Sequence, residues 1–325
     1  MESIAVYARG ALAACLLATT WVTVAHAQQS AQPKQVGILF PGQLGTERLE
    51  LIKVGLSRSH GTALTVTVRE ARGEAGKLKP LAEELVKARV DAILAIGSPS
   101  LQAAYTAAPT IPIIALDLET DPVKSGMAAS LSRPGGTVTG IFFDAPEIAG
   151  KWLQLLRDLV PELSRVGLLY DQNTDDAQMR AAEDAAPSFA LRTVRLPVSS
   201  PDETYGMIKR AAEDGIEALL VHSSPILVDQ AKTISEAALK HKLPAIGLFP
   251  INARTGLLLA YGPDNFALMP QVGEITGKVL GGAKPAVMPI ERPTLFKLII
   301  NTTTAKELGV KVPTSMLLLA DEIAE

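Results

Sequence analysis

Cysteine is almost missing from this chain of 325 residues, because Cys15 is the only one. Cys15 lies in an N-terminal leader, so cleavage after that leader leaves a chain with no thiol. A disulfide, a thiol nucleophile and a cysteine-ligated metal are then excluded. The four histidines have no partner at metal-ligand spacing, and the nucleophile motif Gly-x-Ser-x-Gly does not occur. We therefore expect no catalytic residue, no metal site and no cofactor.

A strong charge of either sign is also missing. Lys and Arg number 31 against 34 Asp and Glu, which gives a net charge of −3. The positive field that holds a polyanion is absent, so we expect no nucleic-acid partner. Hydrophobic residues make up 47% and aromatic residues only 4%, which is typical of an aliphatic-rich globular protein long enough for two domains.

The first 27 residues predict a cleaved signal peptide. A mostly apolar stretch follows Arg9 and ends in Ala25-His26-Ala27, the small-x-small pattern that precedes cleavage. A membrane anchor is one alternative, but the stretch is shorter than the roughly 20 residues that a span requires. A lipoprotein box ending at Cys15 is another, although it lies inside the apolar run rather than at its end. We expect export to the periplasm, with cleavage near Ala27.

The rest of the chain contains an internal sequence repeat, with its two copies about 130 residues apart. Segments 36–40, 91–99 and 111–116 recur in the same order as 166–170, 217–225 and 243–249. Aliphatic runs recur by chance in α/β proteins, but here the order, the offset and the Ser-Pro endings agree. The repeat predicts two similar α/β lobes, and a cleft between lobes is where small ligands usually bind.

Alternating strands and helices predict a parallel sheet covered by helices in each lobe. The predicted strands of the first lobe are 36–40, 63–69, 92–97, 111–117 and 138–143, with helices at 46–57, 77–88 and 100–108. The second lobe has predicted strands 166–170, 193–197, 218–222 and 245–249, with helices 175–186, 201–214 and 225–240. Beyond them we predict strand 257–262, helix 265–280, strand 294–301 and helix 302–308.

These last elements are too few to form a core of their own. We expect residues 35–143 plus 257–289 to form lobe 1, and residues 147–252 plus 294–325 to form lobe 2. The chain would then cross between the lobes three times, near 142–147, 252–256 and 289–293.

Serines follow one strand in each lobe at equivalent positions of the repeat. Gly97-Ser98-Pro99-Ser100 and Ser223-Ser224-Pro225 each place a hydroxyl before a helix and a proline in its first turn. The free N–H groups and the helix dipole would suit a ligand carboxylate. Plain helix capping is the alternative for each serine. We predict Ser98, Ser100, Ser223 and Ser224 as ligand-binding residues.

Aromatic side chains are few, yet they end several predicted strands. Phe40-Pro41-Gly42-Gln43 and Tyr170-Asp171-Gln172-Asn173 end the first strand of each lobe. Capping of the sheet cores is the alternative to a role as pocket walls. Asp117 and Asp171 could pair with a ligand amine, although Asp at a strand end is also a turn former. The further predicted ligand-binding residues are Phe40, Pro41, Gln43, Asp117, Phe143, Tyr170, Asp171, Asn173, His222, Phe249 and Tyr261.

Several longer segments carry a family resemblance, among them 36–39, 81–86, 128–136, 150–156, 261–263 and 304–309. On them the chain resembles the extracytoplasmic solute-binding proteins of ABC transporters, in the subgroup labelled tryptophan/tyrosine transport substrate-binding proteins. The resemblance covers nearly all of the mature sequence. It implies the type I periplasmic-binding architecture, in which two Rossmann-like lobes with three hinge crossings close on a small solute.

The resemblance also implies a function. Members similar to this chain bind an amino acid, with aromatic rings around its side chain and helix N-termini near its carboxylate. Relatives often carry an aromatic and acidic segment between Ile246 and Tyr261, and this chain departs from it at 247–254, so a different solute stays open. We expect a monomeric periplasmic component of an ABC importer that binds an amino acid or related carboxylate and delivers it to a permease and its ATPase. A periplasmic sensor domain without transport is the alternative, and a cytoplasmic repressor core and an enzyme are further ones.

Overall fold

The computed structural model describes residues 33–60, 64–143, 146–174 and 177–325. The predicted signal peptide and Cys15 lie outside these ranges. Residues 34–325 form one compact unit that contains both lobes. Within the described ranges, no helix combines the length and the hydrophobicity that crossing a bilayer requires.

Lobe 1 is built on a five-stranded parallel sheet, sheet 1, with the order β2-β1-β3-β4-β5. Its strands are β1 (Lys34–Phe40), β2 (Leu64–Glu70), β3 (Ala92–Ile96), β4 (Ile113–Asp117) and β5 (Val138–Phe142). Three helices connect the first four strands: α1 (Thr46–His60), α2 (Leu78–Lys87) and α3 (Ser98–Ala107). Every residue of β3, β4 and β5 is buried, as expected for strands covered on both faces.

Lobe 2 is built on a seven-stranded sheet, sheet 2, with the order β12-β11-β10-β9-β8-β6-β7. Its strands are β6 (Arg165–Asp171), β7 (Arg192–Val198), β8 (Ala218–Val221), β9 (Ala245–Gly247), β10 (Leu259–Pro263), β11 (Phe296–Asn301) and β12 (Glu322–Ala324). All neighbours pair in parallel except β10 and β11. The accompanying helices are α4 (Pro146–Leu159), α5 (Ala177–Ala185), α6 (Glu203–Glu213), α7 (Pro225–Asp229), α8 (Ala231–Lys240) and α9 (Pro250–Arg254). The two lobes confirm the predicted fold class.

The strand after β9 differs from the prediction, which assigned residues 257–262 to lobe 1. Leu259 and Ala260 instead pair with Ile246 and Gly247 of β9, so β10 belongs to sheet 2. The five-residue helix α9 returns the chain beside β9 without leaving the lobe. The crossing predicted near 252–256 is therefore wrong as well. An apolar segment such as 257–260 fits the interior of either sheet, so its composition does not identify its partner strand.

The chain returns to lobe 1 after Pro263, through helix α10 (Asn265–Leu280), which packs along α1. Glycines allow this close approach: a Cβ on Gly55 would lie 2.0 Å from the Pro270 carbonyl oxygen, and one on Gly273 would lie 2.3 Å from that of Ile52. The chain then runs beside β5, where Glu291 bridges to Ile141, before it enters β11. Two further helices, α11 (Thr302–Leu308) and α12 (Thr314–Leu319), precede the last strand.

Candidate functional site

A small cavity lies between the two lobes, and we call it the cleft cavity. It is lined by Phe40, Arg48, Ile96, Gly97, Leu116, Leu118, Glu119, Asn265 and Met269 from lobe 1 and by Ser223, Ser224, Pro225, Val228 and Phe249 from lobe 2. Its volume is about 40 Å³. Wider surface grooves of about 610 and 580 Å³ are each lined by a single lobe. The cleft cavity lies beyond the carboxyl ends of the strands, where open α/β sheets bind ligands.

Four residues predicted from the sequence line this cavity: Phe40, Ser223, Ser224 and Phe249. The rings of Phe40 and Phe249 form apolar walls from opposite lobes, and one hydrophobic cluster includes both of them together with Leu118. Phe40 is the last residue of β1, and Phe249 follows β9 and precedes α9. The end of β1 in lobe 1 and the loop after β9 in lobe 2 thus each place one aromatic ring against the cavity.

Glu119 lines the cavity, and its pKa departs strongly from the usual value of a glutamate. It follows the end of β4 by two residues and is only 4% exposed. Its Oε2 accepts a hydrogen bond from the Ser98 N–H at 3.0 Å, and its Oε1 accepts one from the Ser223 hydroxyl of lobe 2 at 2.5 Å. Burial raises the pKa of Glu119 well above its usual value, and the charge of Asp117 raises it further. The N-terminus of α3, predicted to receive a ligand carboxylate, is thus occupied by a carboxyl group of the chain itself.

Asp117 shapes the loop that carries Glu119. It ends β4 with no exposed surface, and its Oδ1 accepts the N–H groups of Glu119 at 2.9 Å and Thr120 at 3.1 Å. Its Oδ2 has no hydrogen-bond partner among the described residues. Burial raises the pKa of this carboxyl also. Asp117 was predicted to face a ligand amine, but the group that lines the cavity is its neighbour Glu119.

In lobe 2, Ser224 caps helix α7. Its Oγ accepts the N–H groups of Ile226 at 3.1 Å and Leu227 at 3.3 Å, and its hydroxyl donates to Asp171 Oδ2 at 3.0 Å. The other oxygen of Asp171 accepts the backbone N–H and the side-chain amide of Asn173, both at 2.9 Å. Burial raises the pKa of Asp171. Asp171 and Asn173, both predicted as ligand residues, therefore support the capped loop behind the cavity wall.

Further contacts join the lobes around the cavity. The Gln178 side-chain amide donates to the Leu118 carbonyl, and the Ser223 N–H donates to Gln178 Oε1 at 3.2 Å. At the rim, Asp229 of α7 accepts the backbone N–H of Gln43 at 3.3 Å and lies 3.7 Å from Arg48 Nη1. Arg48 also lies over the ring of Phe40, 5.7 Å from its centroid. Both charged and apolar groups thus contribute to the interface between the lobes.

The remaining predicted residues do not line the cavity. Pro41 and Gln43 lie at its rim, Ser98 contributes only its backbone N–H, and the buried Ser100 hydroxyl has no partner among the described residues. Tyr170 packs against the hydrophobic core. Phe143 and Tyr261 both pack on Phe296, with ring centroids 5.4 and 6.1 Å away. These rings cover the sheet cores, which was the alternative to their role as pocket walls.

His222 is enclosed in the core of lobe 2. It lies edge-on to Trp152 at 6.1 Å, and neither ring nitrogen has a hydrogen-bond partner among the described residues. Burial lowers its pKa to about 3, so the folded protein holds a neutral imidazole near neutral pH. His222 precedes the cavity residue Ser223 in the chain but does not itself reach the cavity.

The sequence analysis missed ten lining residues, among them Arg48, Glu119, Val228, Asn265 and Met269. Glu119 had a readable signal, because it is an acidic residue in a strand-end loop of the kind that carries Ser98. Arg48, Asn265 and Met269 come from the first two turns of α1 and α10, and their approach depends on the packing of those two helices. The repeat has no equivalent of α10, so aligning its two copies could not reveal them.

Two α/β lobes that enclose a cavity at their strand ends have the architecture of the type I periplasmic-binding class. Residues 55–324 match the family model of ABC transporter substrate binding proteins, and the chain belongs to that family. The predicted family resemblance is confirmed.

Relatives and solved structures agree with this assignment. The chain is 29% identical over 254 residues to the tyrosine-binding protein of Clostridioides difficile (strain R20291), across 77% of this chain and 72% of the relative. It is similar to an ABC domain in complex with L-Trp from Streptococcus pneumonia, at 23% identity and a TM-score of 0.81, over 89% of this chain and 99% of that one. A ligand-free, open substrate-binding protein with adhesive properties from Clostridium difficile is similar at 23% identity and a TM-score of 0.59, over 90% and 99%. At these identities the two structures show a shared fold.

Proposed function

We propose that this chain is the extracytoplasmic solute-binding component of an ABC importer and that it holds one small solute in the cleft cavity. The observation that carries the proposal is a cavity walled by both lobes and bridged by the hydrogen bond from Ser223 to Glu119. A solute held there contacts both lobes, so its binding energy stabilises their closed arrangement. Family membership supports the same role.

The size of the cavity requires the lobes to move. Its volume of about 40 Å³ is small compared with the roughly 300–1,000 Å³ of an ordinary ligand pocket. An amino acid needs more space, so the lobes must separate to admit it. The connections available for that movement include Pro263 to Asn265 and the segment after Glu291. We propose hinge rotation about these connections, a common closure mode of periplasmic binding proteins.

Aromatic amino acids are the first solutes to test, because similar proteins are described as tyrosine-binding and as a complex with L-Trp. The Phe40 and Phe249 walls support an apolar or aromatic solute group. We further propose that the leader directs export, that the mature protein is a monomer, and that it delivers the solute to a membrane permease and its ATPase without catalysis.

A thermal-shift screen of the protein from Gln28 onward tests the binding proposal. Amino acids, short peptides, nucleosides, sugars and small acids are each added in large excess. A solute that binds the native state at 100 times its Kd adds about 2.7 kcal/mol to stability and raises Tm. Val228→Phe fills the cavity and should abolish the shift, whereas Val123→Phe, at a 40% exposed position, should retain it. A screen in which no solute raises Tm would contradict the proposal.

Uptake of the solute tests the importer role separately. A strain that lacks the gene should lose high-affinity uptake of the labelled solute, and the intact gene should restore it while the Val228→Phe variant does not. Binding in vitro without any change in uptake would indicate a sensing role instead.

A further inference from the structure

Asp117 and Glu119 form a pair of buried carboxyl groups that lack a basic partner. Both are less than 5% exposed. Burial raises the pKa of both carboxyl groups. No lysine, arginine or histidine forms a salt bridge with either group within the described ranges. Since an unpaired buried charge is strongly unfavourable, this pair must be neutralised by a proton or by a cation from outside the chain.

The location of Glu119 favours a cation brought by the solute. Glu119 lines the cleft cavity, and Asp117 Oδ2 is a fully buried oxygen without a hydrogen-bond partner among the described residues. Glu119 already accepts the two donors, the Ser98 N–H and the Ser223 hydroxyl, that a solute carboxylate would need. A solute acid at this position would therefore compete with Glu119 for its two donors and would bring no cation to the pair.

We infer that Glu119 is the specificity-determining residue of the cleft cavity and selects solutes that carry a protonated nitrogen beside an apolar group. The apolar group would pack between Phe40 and Phe249. Arg48 lines the same cavity but lies 3.7 Å from Asp229, so its charge is already shared within the chain. A zwitterionic amino acid can thus be bound, whereas the acid of the same shape without the nitrogen is rejected. The inference rests on the proposed function, because it assigns the chemistry of the same cavity.

Matched probes test this inference. L-Tyrosine, tyramine and 3-(4-hydroxyphenyl)propionate share one ring, and only the last lacks a protonated nitrogen; L-tryptophan and 3-(indol-3-yl)propionate form a second pair. Affinities are measured by calorimetry on the wild type and on Glu119→Gln, which retains the size of the side chain and its acceptor oxygen. We expect the wild type to prefer the amines over the acids by roughly tenfold or more, and the variant to lose most of that preference.

Asp171→Asn is the matched control. Asp171 is also a buried carboxyl that accepts a serine hydroxyl, but it does not line the cavity. This variant should retain the preference for amines whatever its stability. Because the readout is a ratio of two affinities on one protein, partial loss of folded protein cancels.

The outcomes separate this inference from the proposed function. If the wild type binds a solute without a protonated nitrogen, such as benzoate or a sugar, more tightly than any amine, the inference is overturned and the binding function stands. An amine preference that Glu119→Gln leaves intact also overturns it. If no solute of the broad screen binds, the proposed function fails and the inference fails with it.

Discussion

Gly97 of lobe 1 lies directly against Pro225 of lobe 2. A Cβ on Gly97 would lie 2.7 Å from Pro225 Cγ, closer than real Cβ atoms approach other atoms. Gly97 also has φ of 81° and ψ of 151°, a conformation that is essentially restricted to glycine. The loop before α3 therefore needs glycine for two independent reasons, its backbone conformation and the proximity of the other lobe.

Gly97→Ala should weaken solute binding as well as folding. We expect the backbone strain to lower the free energy of unfolding by about 1–3 kcal/mol. The added methyl group should also hold the lobes apart and raise Kd. Gly126→Ala is the control, because Gly126 has φ of 76° but no atom within 4 Å of its would-be Cβ. Denaturant titration gives the stability of both variants, and calorimetry gives their affinity for the solute. An equal loss of affinity in the two variants would contradict this account.

Asp229→Asn should weaken binding modestly by removing a charge from the interface between the lobes. Asp229 pairs with Arg48 and accepts the Gln43 N–H, and its side chain is 31% exposed. Partly exposed pairs contribute about 1 kcal/mol or less, so we expect a roughly two- to fivefold rise in Kd. The affinity of the wild type should fall with added salt more steeply than that of the variant.

Glu213→Gln gives the comparison for Asp229→Asn. It removes the carboxylate from an exposed Lys209 pair with the same 3.7 Å separation inside lobe 2. Its Kd and salt dependence should equal those of the wild type. Equal effects of the two variants would mean that the Asp229 contact does not contribute to closure.

His222→Phe should change how stability depends on pH. Burial lowers the pKa of His222 to about 3, while an ordinary histidine has a pKa of 6.5. Below pH 6.5 the unfolded chain therefore binds a proton that the folded protein excludes. The wild type should lose free energy of unfolding relative to the variant as the pH falls from about 6.5 towards 3, by up to about 1.4 kcal/mol per pH unit.

Urea titrations of wild type and His222→Phe between pH 8 and pH 4 give this difference directly. Subtraction is needed because the buried carboxyls, with their raised pKa values, act in the opposite direction in both proteins. A difference that stays constant over this range would show that His222 is not buried in its neutral form.

Trp152→Phe should destabilise lobe 2. Trp152 has no exposed surface, and its Nε1–H donates to the Tyr261 carbonyl of β10 at 2.7 Å. Without that donor a buried carbonyl loses its partner, which costs about 1–3 kcal/mol in free energy of unfolding. Tyr205→Phe, which removes the exposed hydroxyl that accepts a hydrogen bond from Lys240, should cost less than about 0.5 kcal/mol. Circular dichroism during urea unfolding measures both, and equal costs would contradict the assignment.

Local patterns in the sequence specified most of the strands and helices of the two repeated units. Strands such as β3 and β8 are short aliphatic runs that end at Ser-Pro, and both are found where the repeat predicts them. The sheet that contains β10 could not be predicted in this way, because its apolar residues are compatible with both interiors. The pairing of β10 with β9 and β11 determines the sheet to which it belongs.

The cavity was predicted only in part, for a related reason. Phe40 and Phe249 end strands, so the direction of a parallel sheet already places them at the ligand edge. Arg48 and Met269 reach the cavity only because α1 and α10 pack closely through Gly55 and Gly273. The sequence analysis treated the serines as ligand donors. It overlooked Glu119, whose carboxyl group accepts hydrogen bonds from the Ser98 N–H and the Ser223 hydroxyl. Its role depends on a turn held by Asp117, which composition alone does not reveal.

The packing of α10 on α1 has a consequence for the order of synthesis. Lobe 1 begins at the first strand, but the helix that covers α1 is translated only after five of the seven strands of sheet 2. A nascent chain that stops after β5 would leave Ile52 and Leu56, both buried in the complete protein, without that helix to cover them. The first lobe to leave the ribosome is therefore among the last parts of the molecule to complete its packing.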